Sequence, residues 1–146
     1  MEKSGCKNKK SKLMEKKYLA KIIATDNDGL QMISACVTGS KVKVSDIKYL
    51  KRNKVFLLSI ERSKMESNQE SKRINSICRF DFVDKVKSKN INQENNDQVL
   101  ELITLDCIKN NNDNEIHLIF KNNIYIALTT ETIEVRLDDQ NEIKDK

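Results

Sequence analysis

The spacing of apolar residues along the chain changes once, from helical to alternating. Leu19 to Thr25 reads as a first strand, and Asp26-Asn27-Asp28-Gly29 follows it. An Asp carboxylate there can accept the free N–H groups of a first helical turn. Leu30, Ile33, Cys36 and Val37 then recur at helical spacing and Gly39 suits a C-terminal cap, which predicts a helix over residues 28–38.

Beyond Gly39 the period becomes two. Val42 and Val44, then Ile47 and Tyr49, fit one or two short strands with a shift of face near Asp46. Lys51-Arg52-Asn53-Lys54 predicts a turn. Val55 to Arg62 is apolar on both faces through Leu58, as a central strand is, and residues 63–71 predict a polar loop. Ile77 to Val86 reads as one strand with Cys78, Phe80 and Phe82 on one face. After a polar loop over Asn90 to Asp97, Val99 to Ile108 is strongly apolar. Asn110 to Asn114 is a turn of residues that tolerate left-handed backbone. Ile116, Leu118 and Phe120 alternate, and Asn122-Asn123 turns the chain into Ile124, Ile126 and Leu128, the clearest hairpin pattern present. Thr132 to Leu137 fits both periods, because Ile133, Val135 and Leu137 alternate while Ile133 and Leu137 also sit four apart.

These elements predict an α+β, β-rich domain. It would be a curved antiparallel sheet or partly closed barrel, with one helix after the first strand. Leu58, Phe80, Leu102, Leu118 and Ile126 lie at the centres of the strand patterns and are the expected core. The domain is expected over residues 18–139, after a disordered basic tail over 1–17 and before a polar tail over 140–146. Residues 1–13 lack apolar periodicity, so Met14 is an expected natural start.

Charge sharpens this picture. Of the net +5, residues 1–17 hold seven Lys against two Glu, so the rest of the chain is neutral overall. That remainder is divided: residues 41–89 carry 14 basic and 6 acidic residues, and residues 94–146 carry 5 and 12. Such a split could steer a charged partner or pair two copies head to tail, as in a homodimer. No apolar run nears the roughly 20 residues that cross a bilayer, and no signal-peptide stretch follows the basic N-terminus, so a cytoplasmic protein without membrane contact is expected.

Several chemistries are excluded or unsupported. Three glycines, far apart, exclude a phosphate-binding loop or a dinucleotide fingerprint. Cys6, Cys36, Cys78 and Cys107 form no CxxC pair, and with one histidine they predict reduced thiols, the last three filling core space, with no metal and no cofactor. His117 lies opposite the apolar face of its strand with no evident orienting partner, so no catalytic residue is assigned. Asp26 and Asp28 lack the further oxygen ligands of a calcium loop.

Arginine is scarce, at five residues against 22 Lys. A chain so rich in Lys would keep Arg where a planar bidentate donor is needed. Arg62, Arg73 and Arg136, with Arg79 beside them, are therefore the candidates to hold an anionic group. The run from Lys41 to Lys54 could contact phosphates, but it has one aromatic, Tyr49, and no stacking motif, so nucleic acid is not the favoured partner.

The order of segments resembles a largely alphaproteobacterial bacterial family, the domain of unknown function 2948. The resemblance rests on Lys21-Ile22-Ile23-Ala24-Thr25-Asp26, Asp28, Leu30 and Ile33-Ser34-Ala35. It continues through Val44-Ser45-Asp46-Ile47-Lys48-Tyr49-Leu50 and Phe56-Leu57-Leu58 to Ile133-Glu134-Val135-Arg136-Leu137. It implies a single domain with no assigned activity, cofactor or partner, and a short closing helix over residues 132–139. This chain departs from the family pattern at Lys51, where proline is usual, and at Ser63-Lys64-Met65, which lacks the aromatics that commonly follow the arginine. The expected function is a non-enzymatic binding or interaction module for a protein partner or an anionic ligand. A sequence-nonspecific nucleic-acid-associated protein comes second, and a small enzyme with a scattered site third.

Overall fold

Residues 19–65, 71–92, 94–110 and 112–143 are described by a computed structural model, and the expected tail over 1–17 lies outside them. Strand β1 (Lys21–Ala24) leads into helix α1 (Asn27–Val37). Asp26 caps the helix, its carboxylate accepting the Gly29 N–H at 2.8 Å. A Cβ on Gly29 would lie 2.9 Å from that of Ala24, so a side chain there would push the helix off β1. Leu30, Ile33 and Val37 form the buried stripe, and Gly39 leaves the helix at φ +85°, a conformation that suits glycine.

The remaining strands are β2 (Lys41–Lys43), β3 (Ile47–Leu50), β4 (Val55–Met65), β5 (Ser71–Phe80), β6 (Val83–Lys89), β7 (Val99–Asn110), β8 (Asp113–Phe120), β9 (Ile124–Thr130) and β10 (Val135–Ile143). They join one antiparallel sheet in the order β1-β10-β5-β4-β2-β7-β8-β9-β6, with β3 also paired to β4. The path does not close, because β1 and β6 end it and do not pair.

The sheet nevertheless wraps round its core. At about 4.8 Å per strand, β4 and β6 would stand roughly 24 Å apart if the sheet were flat. Instead the Val83 N–H, at the start of β6, bonds the Lys54 carbonyl just before β4 at 2.8 Å, and the Tyr49 hydroxyl bonds the Val83 carbonyl at 2.9 Å. One buried cluster accordingly gathers Leu30 and Ile33 of α1 with Ala24 of β1, Val83 of β6 and residues from the strands between. All five expected core residues are 0–1% exposed.

The expected closing helix over 132–139 is absent. Val135 and Leu137 are fully buried and Arg136 is exposed, a strand pattern, and β10 pairs with β1 on one side and β5 on the other. Two sheet neighbours offer more backbone bonds and apolar contact than an isolated turn of helix, so tertiary pairing decides the ambiguous segment. β10 also continues to Ile143.

Two further expectations need correction. The single strand over Ile77 to Val86 is two, β5 and β6. The break falls at Asp81-Phe82, where Phe82 takes φ +59° and is 44% exposed, off the Cys78–Phe80 face. The polar loop over 63–71 is shorter, because β4 reaches Met65 and β5 starts at Ser71. Cross-strand pairing carries polar residues that have no apolar pattern to betray them.

Candidate binding face on the outer sheet

The three arginines singled out by their scarcity are not brought together. Arg62 points inward and is 5% exposed. Its Nε and NH2 donate to the two carboxylate oxygens of Asp139 at 2.9 and 2.5 Å. Ser76 Oγ donates to the same carboxylate at 2.5 Å, and the Ala20 N–H at 2.6 Å. Burial alone would raise the Asp139 pKa, but these donors outweigh it and hold the carboxyl below its ordinary value. The Asp139 bonds raise the Arg62 pKa in turn. Arg73 pairs with Glu61 at 2.6 Å across the β4–β5 ladder. Arg136 stands directly across from Arg79 on neighbouring strands, both about half exposed, and each has an acid just outside its own strand, Glu134 before β10 at 3.8 Å and Asp81 after β5 at 3.1 Å.

A more coherent surface lies on the outer face of β7-β8-β9-β6. Alternation sends Leu105, Leu118 and Ile126, then Cys107, Ile116 and Leu128, towards the core. The residues between them face out in cross-strand rows. One row is Ile119–Tyr125–Lys89, while Thr104 opposite Ile119 turns its hydroxyl to that of Ser34 on α1 at 3.0 Å, and the next row is Asp106–His117–Ala127–Lys87. The third is Ile108–Glu115–Thr129–Lys85. At Ile103 the β7–β8 register shifts by one residue, a bulge that leaves this side chain 41% exposed.

This face contains a groove of about 650 Å³, lined by Ile103, Ile119, Tyr125, His117, Glu115 and Lys89 among others. The size suits a small ligand or one segment of a larger one. Tyr125 is 37% exposed, and its ring centroid lies 6.1 Å from that of His117, tilted by 46°. His117 Nε2 lies 2.6 Å from Glu115 Oε1, which fixes the imidazole. The Asn90 side chain donates to the Asn123 carbonyl at 2.7 Å and ties the groove's rim across the ends of two strands.

Along its edge, β6 carries Lys85, Lys87 and Lys89, all exposed and on one side of the strand. None of the three forms an ion pair among the described residues. Lys54 differs, held by Asp84 at 3.0 Å and Glu131 at 3.5 Å. The Lys41 to Lys54 run lies elsewhere, and Lys41 and Lys43 border a second groove of about 490 Å³ together with Asp46 and with Glu61, which Arg73 engages.

Inspection of the sequence misses both features of this face. Glu115 partners His117 because residues two apart share a face of a strand, and Lys85, Lys87 and Lys89 follow the same period. That alternation is the signal that could have found them. Cys78 is buried, with its thiol pushed up to about 12 by burial, while Cys36 and Cys107 are half-buried against the core and Cys6 lies outside the described residues. Among the described residues, no helix is long and apolar enough to cross a membrane.

No curated protein and no solved structure matches the chain. The sequence profile of a family described as proteins of unknown function, DUF2948, matches residues 20–145. That span takes in every strand, the helix and both walls of the groove, so the whole folded unit is a member of the DUF2948 family.

Proposed function

We propose that this chain is a non-enzymatic binding module that takes an anionic partner on the outer face of β6, β9, β8 and β7. The observation that carries the reading is the row of exposed lysines on β6, unpaired among the described residues, beside an open groove with exposed Tyr125 and Ile103. Lysines without a carboxylate partner leave a positive potential for an incoming anion. An edge strand also uses lysine to discourage pairing with other strands, and that role is compatible with this one. Arg79 and Arg136 offer an anion a second, separate place on the other half of the sheet. Arg62 supports binding indirectly, by holding β10 in register. A second reading, a small enzyme, has the Glu115–His117 pair in the groove behind it, since a carboxylate that orients an imidazole is how a general base is set up.

The test is retention on a sulfated-polysaccharide matrix. Replacing Lys85, Lys87 and Lys89 with Gln should lower the eluting salt more than the same change at Lys41, Lys43 and Lys48. Equal effects from the two sets would sink the reading, because attraction would then follow net charge and not this face.

A further inference from the structure

We infer that the occupant of this face is a single strand of nucleic acid, its phosphates along β6 and its bases over Tyr125 and His117. The inference rests on the proposed anion-binding face and names what lies on it.

Three features of the geometry favour a single strand over other polyanions. Lys85, Lys87 and Lys89 alternate on β6, so successive lysines are spaced along the strand by two residues, about 6.7 Å. That repeat is close to the separation of phosphates along an extended single strand. Sideways from Lys89 the next residue in the row is Tyr125, then Ile119, so a base hung from a phosphate on β6 meets an aromatic ring and an apolar floor. Base stacking on such rings tolerates any sequence, because every base has a π-face. His117, in the next row and separated from Lys87 by Ala127, sets a second ring 6.1 Å from that of Tyr125.

The acids on this face fall on the far side from the lysines. Asp106 lies three strands from Lys87 in its row, and Glu115 two strands from Lys85. This gradient sets the backbone on β6 and turns the bases towards β8 and β7, where carboxylates can accept hydrogen bonds from base N–H groups. A duplex keeps its bases stacked inside and presents no π-face to Tyr125. An acidic peptide would use the lysines and leave the aromatic ring without a specific role.

The experiment measures fluorescence anisotropy of a labelled ten-nucleotide oligouridylate with the full chain, beside a duplex of equal length and a polyglutamate peptide. The full chain keeps the Lys-rich N-terminus, so the readout is the difference between variants. Tyr125→Ala should weaken oligouridylate binding by about fivefold to a hundredfold, while Tyr125→Phe leaves it within about twofold. Lys87→Ala should reduce the slope of log affinity against log salt by about 0.7. Both positions are on the outer face, and a melting curve for each variant confirms that it is folded. Duplex binding as tight as single-strand binding, or affinity indifferent to Tyr125→Ala, would overturn this inference. In that case a response to Lys87→Ala would leave the anion-binding face standing. Binding of polyglutamate with no binding of oligouridylate would overturn it in favour of an acidic protein partner.

Discussion

Replacing Asp139 with Ala removes one carboxylate and strands the four donor groups of three residues. Arg62 would keep a guanidinium inside the protein with its side chain 6% exposed and no counter-charge. Ser76 Oγ and the Ala20 N–H would lose their acceptor as well. Breaking a buried ion pair from one side costs about 3–5 kcal/mol, since the remaining charge is neither paired nor hydrated. For a domain of this size that corresponds to a fall of roughly 10–20 °C in melting temperature. The loss should be concentrated at the sheet's β1-β10-β5 end, because Asp139 joins β10 both to Arg62 of β4 and to the residue that precedes β1.

The assay is urea unfolding followed by circular dichroism, for Asp139→Ala, Arg62→Met and the double change Arg62→Met with Asp139→Leu. Each single change should be costly, and the double change should recover most of the loss, since apolar replacement of a whole buried pair is often neutral or stabilising. A loss under about 1 kcal/mol for Asp139→Ala would refute the reasoning, and so would a double change as damaging as the sum of the singles. The pH dependence follows from the same pair. The Asp139 pKa is lowered in the folded state, so its contribution is fully present above the unfolded value, about 3.9. It is lost as pH falls through the folded value. Wild type should therefore lose stability more steeply than the double variant as pH falls below roughly 5.

Three other outcomes follow. Leu118→Ala should cost about 2–5 kcal/mol by urea unfolding, because the side chain is fully buried between the walls of the sheet. Asn123→Val should cost about 1–2 kcal/mol and Asn123→Gly almost nothing, since the residue holds φ +60° in the β8–β9 turn. With a maleimide at pH 8, peptide mapping should find Cys78 unmodified in the native protein and labelled in urea, because burial pushes its thiol up to about 12.

How much of the fold was legible depended on whether one face of each element met solvent. Helix α1 and the β8–β9 hairpin carry clean patterns, with Leu30, Ile33 and Val37 or Ile116, Leu118 and Phe120 inside and polar residues outside. Their periods alone locate them. The Asp81-Phe82 break could not be read in this way, because Phe82 keeps the alternation of β5 while its backbone turns to φ +59°. The start of β5 before Ile77 and the extension of β10 from Asp139 onward escape the pattern for a different reason. Their inward positions include Ser76 and Asp139, polar side chains that reach the core only because Arg62 is there to meet them. A buried polar group is stable when its partners are present, and partners 63 and 77 residues apart in sequence leave no local trace.

Arg62 shows why scarcity of arginine marks chemistry without naming its partner. A planar, bidentate cation that stays charged is what a buried carboxylate requires. An anionic ligand requires the same group, so a sequence that spends Lys freely keeps Arg for either purpose. Here Asp139 fills the fork of Arg62 and Glu61 engages Arg73, and both bonds join strands to each other. Lysine suits the opposite task. An ammonium on a long flexible stem keeps its hydration, tolerates many approach angles and loses little when no partner is bound. Three of them in a row on β6, without carboxylates to neutralise them among the described residues, can wait in water for a mobile polyanion. The same two-residue period that packs Val86 against the core beside Leu128 sets these lysines outside. One alternating stretch thus serves the core with one set of side chains and presents a charged face with the other.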